Sequence, residues 1–220
     1  YSSNGGLCYS GELLPGTKSC CSKLMIYNEE IVHLFLLPLG SKLQQWEIDK
    51  YLLVSSNEER AKIVQFKHWQ DSQRAVLGNA LLHWMLKSVL NLSEVKINRN
   101  EKGRPYLFKV NKKWDGDFNL SHSGEWIVAT IANKSSVGVD VEKIGELNED
   151  VLPFVLTEKE LMTIKSLSKI EQTKKFYELW TMKESIYKMG IFPNLTLESI
   201  DTLEVNKKGI KAHSFYIDAY

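Results

Sequence analysis

The chain writes one helical plan twice. In the first half "SNEE" places Ser56 three residues before Glu59. In the second "TEKE" places Thr157 three residues before Glu160. A hydroxyl followed three positions later by a carboxylate satisfies two backbone donors reciprocally and marks a helix start. Each signature opens a short charged helix, "EERAKIVQF" or "EKELMTIKSL". Each is followed by a longer helix with an apolar stripe, "DSQRAVLGNALLHWMLKSVL" or "EQTKKFYELWTMKESIYKM". Strand-like pieces and turns come next. In the first half these are "VKINRN", "GRPYLF", "FNLSHSGEWIVATIA" and "VGVDVE"; in the second, "ESIDTLEVN" and "KAHSFYIDAY". A helix with one apolar face must cover something, and short strands offer a sheet to cover. The sequence therefore predicts an α+β protein of two similar lobes with pseudo-twofold character. Each lobe is a small antiparallel sheet packed by a long helix.

The expected boundaries follow from this plan. Residues 25–134 form an N-terminal lobe and 135–220 a C-terminal lobe. Residues 1–24 are rich in Gly, Ser and Lys and show no periodicity, and they lack the apolar stretch of a signal peptide. They read as an extension or disordered arm, with Met25 as the natural start. "IVHLFLLPLG" is the most apolar stretch. It falls short of the roughly 18 residues of a membrane span and meets Pro38, so it reads as a buried strand. "HSFYIDAY" ends without a following strand to pair with, which suggests a truncated last sheet. Lys and Arg number 28 against 27 Asp and Glu, a net charge of +1 that supplies no general field for nucleic acid. Cys8, Cys20 and Cys21 have neither the histidines nor the spacing of a zinc site or disulfide framework. The expectation is a cytoplasmic monomer with neither a nucleic-acid nor a membrane partner.

Four motifs could carry chemistry. "VGVDVE" alternates Val137, Val139 and Val141 with Gly138, Asp140 and Glu142, so it reads as a strand with both acids on one face. Two carboxylates roughly 7 Å apart repel, and a proton or cation must relieve them. Paired carboxylate oxygens suit a hard cation such as Mg²⁺, which leaves room for water and phosphate oxygens. "LWTMKESIYK" puts Glu184 and Lys188 at i, i+4 with Lys183 alongside, either a surface ion pair or a third metal-directed acid flanked by phosphate-directed lysines. "FNLSHSGEW" sets His122 between Ser121 and Ser123, as a turn or as a loop offering polar groups to phosphate. "NEKGRPYL" projects Arg104 from a Gly-Pro turn. A phosphate-cradling P-loop, a dinucleotide fingerprint and a nucleophile elbow are all missing from the sequence.

Taken in order, "GRP", "FNLSHSGEW", "VGVDVEK", "LTEKE" and "FYELWTMKESIYK" resemble the 4′-phosphopantetheinyl transferases, in the pseudodimeric type that activates surfactin synthetase. The family signatures are a G-hydrophobic-D-hydrophobic-E strand, here Gly138 to Glu142, and a W-x-x-K-E-[SA]-x-x-K helix, here Trp180 to Lys188. The resemblance runs from about Ile26 onward. It implies transfer of phosphopantetheine from coenzyme A to a serine of an apo acyl or peptidyl carrier protein, releasing adenosine 3′,5′-bisphosphate. By motif, Asp140, Glu142 and Glu184 would hold Mg²⁺, with Mn²⁺ as the alternative ion. Lys183, Lys188, His122, Ser121 and Arg104 would meet coenzyme A phosphates. Lys62 and Arg74 match basic positions at its nucleotide end. Glu160 matches the acid proposed as general base, a role that competes with its helix-capping one. A cleft between the lobes would place coenzyme A.

Three departures stand out. Arg104 replaces the more usual lysine of the family's turn, Glu59 stands where the surfactin-type enzyme has a lysine, and "MGIFPNL" is shorter than the family's glycine-rich loop. The alternative is a non-catalytic coenzyme A or carrier-binding protein of the same fold. The intact set of acids and lysines argues against it.

Overall fold

A computed structural model of the chain describes residues 8–12, 19–27, 30–108, 114–192, 194–202, 204–205, 210, 212, 214 and 216–217. The chain separates into two compact units, Tyr1–Val137 and Gly138–Tyr220. It is α+β: among the described residues both antiparallel sheets lie in unit 1, and each unit has one long helix.

Unit 1 holds strands β1 (Cys8–Glu12), β2 (Ser19–Tyr27), β3 (Glu30–Pro38), β4 (Ile97–Arg99), β5 (Pro105–Leu107), β6 (Asp117–Ser123) and β7 (Trp126–Ala132). Its helices are α1 (Gln45–Leu52), α2 (Asn57–Ile63) and α3 (Trp69–Leu90). Five strands form one antiparallel sheet in the order β1-β2-β3-β7-β6, and β4 pairs with β5. The register sets Phe35 opposite Ala129 and Leu37 opposite Ile127. These residues are buried against Val76, Leu77, Ala80, Leu81 and Met85 of α3. Gly78 lets this helix lie close to the sheet, since a Cβ there would meet Leu120 Cδ2 at 3.1 Å. The expected capping box at Ser56 and Glu59 opens α2. Asn91, at φ 51°, closes α3 in the left-handed region that Asn tolerates.

One sequence expectation needs correction in this unit. Residues 1–24 do not stand wholly apart as an arm: β1 and the first part of β2 are hydrogen-bonded into the sheet. "IVHLFLLP" is the expected strand, an inner one flanked on both sides.

Unit 2 holds α4 (Leu152–Val155), α5 (Glu158–Lys165) and α6 (Lys169–Met189), with 3₁₀ turns at Glu149–Val151 and Leu197–Ser199. Its core gathers Leu152, Val155, Leu156, Ile164, Phe176 and Leu179. A second cluster holds Ile186, Ile200, Val205 and Ile210. The box at Thr157 and Glu160 opens α5, a further box at Ser168 and Glu171 opens α6, and Gly190 at φ 70° ends α6.

Here the strand expected at Val137–Glu142 is absent. The chain from Ser136 to Asn148 has no regular secondary structure. Alternating valines cannot make a strand alone, because backbone donors need a neighbouring ladder. Unit 2 offers no such neighbour among its described residues. Instead Gly138 packs on α6, so closely that a Cβ would lie 1.8 Å from the Ser185 carbonyl oxygen. The strands expected over 198–206 and 211–220 lie partly outside the described residues, and Leu197–Ser199 is a 3₁₀ turn rather than strand.

Candidate functional site

In unit 2 the functional side chains come from the 138–142 segment and from α6. Glu184 and Lys188 occupy successive turns of the helix. Lys188 reaches back to Asp140, Nζ to Oδ1 at 2.5 Å, with Asp140 buried and Lys188 31% exposed at the side chain. Burial pushes the Glu184 carboxyl up. Lys188 opposes this, but the negative charges of Asp140 and Glu142 add to it, and the net pKa lies above the ordinary carboxylate value. The charges of Asp140, Glu142 and Lys188 thus all act on Glu184.

Lys183 goes elsewhere. Its Nζ lies 2.6 Å from Glu160 Oε2, and both side chains are buried. It also donates to the Leu197 carbonyl at 3.2 Å. Glu160 Oε1 accepts from Thr202 N at 3.1 Å and Thr202 Oγ1 at 2.6 Å, while Oε2 accepts from Thr157 N at 2.9 Å. Burial raises the Glu160 pKa. The donations from Lys183, Thr202 and Thr157 together outweigh it and hold the carboxyl below its ordinary value. Burial likewise draws the Lys183 ammonium down, against the pull of Glu160. Glu160 therefore does keep its capping role while pairing with Lys183.

Unit 1 places its basic candidates differently. Arg74 donates from Nη1 to the Gly124 carbonyl at 2.7 Å and pairs through Nη2 with Asp71 Oδ1 at 2.6 Å. This ties α3 to the β6–β7 turn. The Arg74 hydrogen bond and charge hold the Asp71 carboxyl low. Ser121 is buried in β6 and the neighbouring His122 is exposed. Arg104 Nη2 donates to Asp117 Oδ2 at 2.5 Å and to the Val137 carbonyl at 3.2 Å. Its Nη1 is buried and has no hydrogen-bond partner among the described residues. Lys62 pairs with Glu58 at 2.8 Å on an exposed helix face.

Several residues here escaped the sequence reading. Asp71 lies three residues before Arg74 on a helix, a pattern that sequence can show. Asp117, Arg99 and Thr202 carry no local signal, because the fold brings them Arg104, Glu59 and Glu160. Among the described residues no group of three or more His, Cys, Asp or Glu is assembled as a metal centre. No described helix is long and apolar enough to cross a membrane.

Fold and charges define a two-unit α+β protein with a half-open Asp140–Lys188 ion pair beside Glu184 on one long helix, and with arginines anchored around turns of a sheet unit. Residues 42–135 match the family model described as 4′-phosphopantetheinyl transferase, N-terminal. Residues 136–217 match that of the 4′-phosphopantetheinyl transferase superfamily. The chain belongs to this superfamily. It is 35% identical over 149 residues to the 4′-phosphopantetheinyl transferase gsp of Aneurinibacillus migulanus, covering 64% of this chain and 60% of the relative. It is 30% identical over 148 residues to the 4′-phosphopantetheinyl transferase Sfp of Bacillus subtilis (strain 168), covering 66% and 64%. The human L-aminoadipate-semialdehyde dehydrogenase-phosphopantetheinyl transferase is 30% identical over 157 residues, covering 66% and 51%. The chain thus spans between about half and two thirds of the length of these curated relatives.

Proposed function

We propose that the protein transfers the 4′-phosphopantetheine group of coenzyme A to a serine hydroxyl of an apo acyl or peptidyl carrier protein, with Mg²⁺, releasing adenosine 3′,5′-bisphosphate. The observation that carries this reading is the Asp140–Lys188 ion pair one helical turn from Glu184, whose carboxyl is held above its ordinary value by burial and by the charges of Asp140 and Glu142. Such a cluster gains from a divalent cation. Its all-oxygen donor set suits Mg²⁺, which takes few protein ligands and completes its shell with water and phosphate. By donor chemistry Asp140, Glu142 and Glu184 would hold the ion, although no three such groups among the described residues are assembled as a metal centre. Once bound, Mg²⁺ would supply neutralisation of pyrophosphate charge.

The chain's own residues do the rest. Lys188 would exchange Asp140 for a phosphate oxygen and neutralise leaving-group charge. Arg104 offers its Nη1 donor to a phosphate, held in orientation by Asp117. Arg74, His122, Ser121 and Lys62 would bind the nucleotide end, the first fixed by Asp71 and Gly124. Lys183 acts through Glu160 rather than on phosphate directly. The attacking serine must give up its proton. For Glu160 to take it, as the family resemblance implies, one of its four donors must first let go. A cytoplasmic, monomeric protein belongs to the same reading.

The test is direct. Incubate the protein with coenzyme A, Mg²⁺ and a panel of apo carrier proteins, then weigh the carriers by mass spectrometry. Phosphopantetheine mass gain is expected on at least one. No gain on any overturns the proposal.

A further inference from the structure

Glu59 closes the capping box of α2 and also meets the Arg99 guanidinium. The Arg99 guanidinium is held on three sides. Nε meets Glu59 Oε1 at 3.2 Å, Nη2 meets Asn79 Oδ1 at 2.8 Å, and Nη1 meets the Gly103 carbonyl at 3.1 Å. Asn79 is buried and donates in turn to Ser55 Oγ at 3.2 Å. Glu59 is only 13% exposed at its side chain, so it does not face solvent as a loose anion. Its second oxygen accepts from Ser56 N at 3.0 Å.

The third contact of Arg99 falls on an important peptide. Gly103 sits at φ +79°, where side chains are strained, and its carbonyl belongs to the peptide that leads into Arg104. Rotation of that peptide would re-aim Arg104. The Asn100 side chain already takes the N–H of Lys102 at 3.0 Å and of Arg104 at 2.9 Å, so the turn is held from inside. Arg99 holds it from outside. Arg104 ends with one buried donor still lacking a partner among the described residues.

We propose that Glu59 is a positioning residue: acting through Arg99, it sets the Asn100–Arg104 turn so that the Arg104 guanidinium meets an anionic oxygen of the ligand. The ligand in question is a phosphate-bearing one, coenzyme A, so the proposal rests on the transferase reading above. It makes a prediction of opposite sign to simple electrostatics. Removing an acid near an anion site should tighten anion binding if charge alone matters. Removing a brace should weaken it.

Steady-state transfer and amide hydrogen exchange on the whole chain, with Glu59→Ala, Glu59→Gln and Arg99→Lys, test the proposal. Ser56→Ala, which removes the other half of the α2 capping box without touching Arg99, is the control. We expect Glu59→Ala to raise KM for coenzyme A about fivefold, the scale of a lost charge-assisted contact. Its kcat should stay within about twofold, because Glu59 does not touch the reacting atoms. Glu59→Gln and Arg99→Lys should move KM the same way by less, and exchange at Gly103 and Arg104 should quicken in all three. Ser56→Ala should leave KM and turn exchange as in the wild type. An unchanged or lowered KM in Glu59→Ala, or an equal rise in Ser56→Ala, overturns the proposal. If the wild-type chain shows no transfer to any carrier, the transferase reading has failed on its own, and turn exchange decides. Faster exchange at Gly103 and Arg104 in Glu59→Ala upholds the brace, and unchanged exchange refutes it.

Discussion

Two lysines five residues apart on α6 meet two acids in opposite ways. Lys183 and Glu160 are closed off together, 0% and 2% exposed at their side chains, with every carboxylate lone pair used. Lys188 and Asp140 are open on one side, with Lys188 31% exposed and two further acids pressing on the same ground. The first pair is balanced and belongs to the architecture, because it ties Thr202 and Leu197 onto α5 and α6. The second is half-open, and a charged pair at a half-open position is within reach of a ligand. Residue type does not separate the two cases; the access to water does.

The largest expected effect tests the closed pair. Lys183→Met should destabilise the protein by about 3–5 kcal/mol in denaturant unfolding, because it strands a buried carboxylate. Adding Glu160→Gln should recover much of that loss, since the pair as a whole is worth far less than the cost of breaking it. A double variant no more stable than the single would show the pair to be something other than a buried ion pair.

Next comes the open cluster. Asp140→Ala should lower transfer on the order of 10³-fold while costing less stability than Lys183→Met, since Lys188 can turn to water. Full activity in this variant would remove Asp140 from the site. Glu184→Gln should also abolish transfer, yet raise stability at neutral pH, as measured by Tm, because it deletes the most crowded carboxylate.

The pH dependence separates the pairs by sign. The folded-state pKa of Glu160 is depressed, so its stabilisation is present above the unfolded carboxylate pKa. It is lost as pH falls through the lower folded value. The folded pKa of Glu184 is raised, so its contribution runs the other way. Stability falls as pH rises from the ordinary carboxylate value through the raised one. Unfolding curves for Glu160→Gln and Glu184→Gln should lose the acid-side and the neutral-side slope respectively. The smallest effect belongs to the exposed Lys62–Glu58 pair, where Glu58→Gln should leave Tm unchanged within error.

The helix plan was legible because each capping box satisfies donors within one turn of chain. Ser56 with Glu59 and Thr157 with Glu160 need nothing from the rest of the fold. The acids of the candidate site were legible for a similar reason, as short signatures at fixed spacing. Their partners were not. Asp140 and Lys188 are 48 residues apart, and so was hidden which lysine of "MKESIYK" faces the acids and which faces the core. The strand over Val137–Glu142 was misread because alternation states which faces a segment has, not whether a ladder waits beside it.

What the sequence determined by itself is local and chemical: where helices begin, which residues are apolar, and which acids and bases the site can draw on. What only the tertiary structure decided is pairing and exposure. It turned Lys183 inward to Glu160, left Lys188 at the edge with Asp140, tied Glu59 to Arg99 and laid Gly138 against α6. Those choices depend on which long-range neighbour displaces water from a charge, a quantity that no spacing along the chain encodes.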